Sequence, residues 1–93
     1  MASYRYKNIN GAHTTVVSTT PCKLHSIVIN TTSSAAITVY DNASGADANA
    51  IVALFPSSAV CGTYTYNVDL NKGCVIVTAG TGDITVTVGT QGN

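Results

Sequence analysis

The sequence predicts an all-β chain: a single small β-sandwich or jelly-roll-like domain of seven or eight short antiparallel strands. Three observations carry that expectation. Roughly a third of the 93 residues are Thr, Val or Ile, types that pack well on a pleated surface. Glu is absent, and Ala, Leu and Lys are scattered without a 3.6-residue period. Turn formers punctuate the chain at short intervals, as at Asn10-Gly11, Asp41–Gly45, Asn71-Lys72-Gly73 and Gly80–Asp83. A chain of this length makes one domain, residues 1–93, with residues 1–10 as a possible N-terminal arm.

The elements follow in order. Ser3–Ile9 alternates Tyr4 and Tyr6 with Arg5 and Lys7, and reads as a first strand or as an arm reaching onto a neighbour. His13–Thr20 is a β-branched run stopped by Pro21. Leu24–Asn30 has apolar groups on both faces, Leu24 and Val28 on one and Ile27 and Ile29 on the other. That pattern predicts a central strand covered twice. The polar stretch Asn30–Ala35 and the return Ala36–Asp41 make this a core hairpin. Asn42–Asn49 is the clearest loop, and Ala50–Phe55 an edge or rim strand closed by Pro56. Thr63–Leu70 alternates, with Tyr64, Tyr66, Val68 and Leu70 on one face. A tight turn at Asn71-Lys72 then sets Val68 opposite Val75 and Tyr66 opposite Val77. Ile84–Val88 closes the sheet and Gly89–Asn93 is a polar tail.

Charge is the unusual quantity. Only 9 % of residues are charged, against a usual ~25 %, and four of each sign cancel. No basic surface is available for a polyanion, so nucleic acid is not an expected partner. No apolar run reaches the ~18 residues of a membrane span, so no membrane is expected either. Met1–Arg5 runs straight into strand-like sequence, and no secretion leader is expected there. A monomer with a neutral surface of Thr, Ser and Asn would satisfy these numbers. The favoured reading is a subunit that works packed against others.

The catalytic templates fail individually. Ser44-Gly45 lacks the strand–turn–helix setting of a nucleophile elbow, and Gly80-Thr81-Gly82 lacks the lysine and helix of a phosphate cradle. Asp41, Asp47, Asp69 and Asp83 fall mostly in turns, where Asp is expected without any acid–base role. Cys22, Cys61 and Cys74 with His25 invite a zinc site. On a strand, however, Cys22 and His25 point to opposite faces, so no metal or other cofactor is expected. The three cysteines read as buried thiols, with an intersubunit bridge as the minor alternative. Tyr64 and Tyr66 read as core residues with rim hydroxyls; Tyr4 and Tyr6 stay open between structural and ligand-stacking roles.

Leu24–Asn30 (LHSIVIN), Ile37–Asn42 (ITVYDN) and the stretch from Asn71 to Val88 with its TAG and GDITVTV segments carry a likeness. Together they resemble the small β-sandwich virion proteins of tailed bacteriophages, of the capsid cement and decoration type. The likeness runs from about Tyr4 to Val88, with NKGC standing where the family has a shorter NG turn. It implies a non-enzymatic structural protein on the capsid surface of a virion, made in the bacterial cytoplasm. Its partner would be the phage major capsid protein, and it would bring no catalytic residues. Head–tail, tail, baseplate and fibre components, with host or glycan binding, are the alternative. A free glycan-binding module is a third reading. A homo-oligomer is expected, with a trimer favoured: ~800 Å² given to each of two neighbours would cover about a third of the surface. Exposure and composition place the contacts at Tyr4, Arg5, Tyr6 and Lys7, and at Asp41, Asn42, Ser44, Asp47 and Asn49, together with an exposed sheet edge.

Overall fold

A computed structural model describes residues 4–45 and 49–89, and it is all-β. Eight strands follow one another: β1 (Tyr4–Asn10), β2 (His13–Ser18), β3 (Cys22–Thr31), β4 (Ile37–Tyr40), β5 (Ile51–Phe55), β6 (Gly62–Leu70), β7 (Cys74–Thr78) and β8 (Asp83–Gly89). They form two four-stranded antiparallel sheets, β1-β8-β3-β6 and β2-β7-β4-β5. The pairs β1–β8, β2–β7, β3–β6 and β4–β5 describe one long antiparallel ribbon. Rolling that ribbon so that successive pairs fall in alternate sheets gives the jelly-roll order. The core lies between the sheets, built from Leu24, Ile27, Ile29, Ile37, Val39, Ile76, Ile84, Val86 and Val88.

In a rolled ribbon, strands adjacent in sequence lie in opposite sheets, and only β4 and β5 are neighbours in both senses. Two expected hairpins are therefore corrected. The polar stretch after β3 crosses to the other sheet, where β4 pairs with β5 and β7. Asn71-Lys72-Gly73 also crosses: Val68 lies opposite Leu24, and Val75 opposite Val16 and Tyr40. Cys74 accordingly pairs with Ser18 of β2. β8, expected to close the sheet, is an inner strand between β1 and β3.

β3 is an inner strand, as its apolar content implies, but it is not covered twice. Register shifts at His25 against both neighbours, so Leu24 and Ile27, three residues apart, both reach the core. The bulge, rather than a second cover, explains the grease at both parities. On β6, Asn67 takes φ 52° beside the same irregularity, a conformation that Asn tolerates. The edge position of the AIVALF segment is as expected, since β5 ends its sheet. The N-terminal segment is the edge strand β1, hydrogen-bonded along β8 from Tyr4 to Asn10.

The crossings are tied to one another. Ser34 donates its backbone N–H to Thr81 O (3.0 Å), and its hydroxyl accepts from Thr81 N–H (3.0 Å). Gly11 N–H reaches Gly82 O at 3.0 Å, while Thr78 Oγ1 donates to Gly11 O at 2.6 Å. Gly82 holds φ +143° with the Ser33 backbone 2.8 Å from where a Cβ would sit. One end of the sandwich is thus closed by hydrogen bonds that satisfy its turn backbone.

Candidate functional site

The register places most of the expected contact residues at the opposite end of the sandwich. Tyr4 and Arg5 begin β1 beside Val88 and Gly89, and the β4–β5 connection starting at Asp41 turns at the same end. Ser44 and Asn49 are exposed there; Asp47 lies outside the described residues. Tyr6 and Lys7 continue along the β1 edge, one on each face.

Arg5 and Lys7 share the face of β1 that carries the core residue Ile9, although both are exposed at the sheet margin. Inward-pointing charge on an edge strand discourages another strand from pairing with it. Tyr4 and Tyr6 occupy the outer face, 47 % and 74 % exposed, and the Tyr4 ring sits 4.8 Å from that of His25. Tyr64 and Tyr66 pack on the core, each edge-on to Phe55.

Asp41 and Asn42 work within the fold. The Asp41 carboxylate accepts from the backbone N–H groups of Asn71 (3.0 Å), Lys72 (2.9 Å) and Gly73 (3.4 Å), capping the β6–β7 crossing. Burial alone would raise its pKa. Those three N–H groups and the Lys72 charge outweigh burial and hold it below the ordinary 3.8. Asn42 closes its own turn, donating from Nδ2 to Gly45 O at 2.9 Å and accepting from Ala43 N–H at 2.8 Å. Removing the cap by Asp41→Ala is expected to cost about 2 kcal/mol, as for hydrogen bonds to a charged group at a partly solvated site. Because the folded pKa is depressed, the contribution is complete above the unfolded value and drains away as pH falls through the folded one. Urea titrations at pH 7 and pH 3 should therefore show the two proteins converging in acid.

Little points to reaction chemistry. Among the described residues, no three of His, Cys, Asp and Glu converge as a metal would need. Burial raises the Cys22 thiol and pushes Cys74 up to about 12, so neither is a nucleophile at neutral pH. The expectation of buried thiols fails for Cys61, which is exposed with its Sγ 3.3 Å from Thr32 Oγ1. The surface hollows are open to solvent: one of about 190 Å³ lies beside Tyr4, Arg5 and Cys22, and a wider one of about 390 Å³ is lined by β1 and β2, from Lys7 to Asn10 and His13 to Val16.

The two outer faces differ sharply. On the β1 sheet, Asn8, Thr85, Thr65, Lys23 and Asp69 face solvent; Asn8 Nδ2 donates to Asp83 Oδ1 at 2.6 Å, and Lys23 lies 3.9 Å from Asp69. The strands of that sheet carry Arg5, Lys7, Lys23, Asp69 and Asp83, while the strands of the β2 sheet carry no charged residue. Register sets Val16, Val75, Tyr40 and Ile51 in one row of the outer β2 face and Thr14, Val77, Thr38 and Leu54 in the next. Val75 is fully buried yet stands apart from the inter-sheet core, flanked by Val16 and Tyr40. Val16, Ile51 and Leu54 are 41 %, 51 % and 62 % exposed.

No family model, curated protein or solved structure matches the chain. The outer β2 face is therefore described by its own chemistry: largely apolar, with no charged residue on its strands. None of its residues was among the expected contacts. Their signal, a total lack of charge in four strands, becomes visible only once those strands are known to share a sheet.

Proposed function

We propose that this is a structural, non-enzymatic virion protein of a tailed bacteriophage, a capsid cement or decoration subunit that bridges and stabilises major capsid subunits. The observation that carries the proposal is an apolar outer sheet face on a chain with only 9 % charged residues. Neighbouring exposed apolar groups of this kind mark surfaces that meet other proteins. The likeness of the LHSIVIN and ITVYDN strands to phage virion proteins supplies the particular setting. A jelly roll suits the role and does not assign it, because viral capsid and lectin domains share that architecture.

The subunit would act as a small symmetric homo-oligomer, with a trimer the size favoured by area. It exposes 4749 Å², so two ordinary contacts of ~800 Å² would cover about a third. A tail or fibre location with glycan binding is the second reading, supported on the other sheet by the exposed Tyr6 and by Tyr4 beside His25. Quantitative mass spectrometry of gradient-purified virions tests both. The expected result is the chain present in fixed ratio to the major capsid protein and retained on tailless heads. Its absence from particles would reject the virion reading, and its presence only on detached tails would favour the second.

A further inference from the structure

We infer that the outer face of the β2-β7-β4-β5 sheet is the seat of a second copy of this chain, packed face to face about a two-fold axis. This goes beyond the proposed role and does not depend on it.

A two-layer sandwich needs apolar side chains on its two inner faces and polar ones outside. The β1 sheet keeps closer to that pattern, with Lys23, Asp69, Asn8 and Thr65 facing outward beside the hydroxyl-bearing rings of Tyr4 and Tyr6. The β2 sheet departs from it at both margins and between them: Val16 on β2 and Ile51 and Leu54 on β5 are exposed, with the half-buried Val77 of β7 and Tyr40 of β4 between them. Solvation would not select such a face; it reads as half of a buried interface.

Charge and area then choose the occupant. In a two-fold contact every residue meets the same surface on its partner, so a charged group near the axis meets its like. The strands of this sheet carry no charge at all, and the rows Val16–Val75–Tyr40–Ile51 and Thr14–Val77–Thr38–Leu54 are complementary to themselves in polarity. The molecule measures 35 × 26 × 16 Å, so its broad side, loops included, spans at most about 900 Å², an upper bound just above the ~800 Å² per partner of a stable complex. The apolar rows sit within that side, as the desolvated centre of an interface does. A three-fold ring joined at strand edges would leave this face uncovered, and two such rings stacked on it would make a hexamer.

Sedimentation equilibrium of the purified full chain over about 1–100 µM tests this directly. The expected mass is two chains, or six where three-fold and two-fold contacts combine. Ile51→Lys with Leu54→Lys should at least halve the mass or weaken association tenfold or more; both positions are exposed, so circular dichroism, and melting at concentrations too low for association, should stay unchanged. Thr65→Lys, on the outer face of the other sheet, should leave association as it was. A single chain or three chains at 100 µM would overturn the inference, as would a mass indifferent to the paired lysines in a folded variant. A two-fold assembly that never appears on virions would instead reject the proposed function and leave this interface standing.

Discussion

Gly73→Ala is expected to destabilise the protein by about 3 kcal/mol, the upper end of the usual overpacking cost. An added Cβ would stand 2.5 Å from Ser18 O, 2.7 Å from Asn42 O and 3.0 Å from Ala43 Cα. All three neighbours are backbone atoms, so no side chain can rotate away. They also belong to two separate segments, which means that relief must move the end of β2 and the β4–β5 connection together. The third N–H of the Asp41 cap is that of Gly73 itself, so a displaced backbone weakens the cap as well. Urea unfolding of Gly73→Ala should show the loss in midpoint with little change in slope. Gly45→Ala is the control. Nothing lies within 4 Å of its Cβ position, and that variant should stay within about 0.5 kcal/mol of the parent.

The same site shows what could be read from the chain and what could not. Alternation, β-branched runs and turn clusters locate nearly every strand, because these are local properties of pleated backbone. The partner of each strand is not local. Asn71-Lys72-Gly73 has the chemistry of a hairpin turn, and an arch between sheets uses the same residues. What separates the two here is the lack of room at Gly73 and a carboxylate from Asp41, thirty residues upstream of Asn71. Leu24 and Ile27 mislead for a related reason. A bulge at His25 reverses the parity, and a strict two-residue period then reads one buried face as two. Asp41 and Asn42 show another limit, since turn residues and binding residues share a composition and sequence does not separate the two roles. The structure gives their polar atoms partners inside the fold. The outer face of the β2 sheet is the converse case: its valines, isoleucine and leucine look like ordinary core in sequence, and only sheet membership turns them outward.

Phe55→Ala should be the most damaging single truncation, at about 3–5 kcal/mol. Total stability for a domain of this size is ~5–14 kcal/mol, so most of the folded population is at stake. Phe55 is 6 % exposed and is the only phenylalanine in the chain. It sits at the end of the edge strand β5 and meets Tyr64 and Tyr66 of β6, the edge strand of the other sheet, at ring distances of 5.0 Å and 6.4 Å. Both contacts are near edge-to-face, at 65° and 79°, the arrangement that adds to simple burial. The ring therefore joins the sheets along a margin where neither has a further strand to hold it. Its truncation opens a cavity at the rim, and loss of near-ultraviolet tyrosine dichroism should accompany the fall in urea midpoint. Leu54→Ala, one residue away and facing outward, provides the discriminating comparison. Its side chain contributes little to the fold of one copy, so dilute protein should unfold almost as the parent does. At concentrations where copies associate, the same truncation should lower the apparent stability, since an interface that binds only folded chains adds its free energy to theirs. Two adjacent residues on one strand would then report separately on the inner and outer faces of a sheet that is apolar on both.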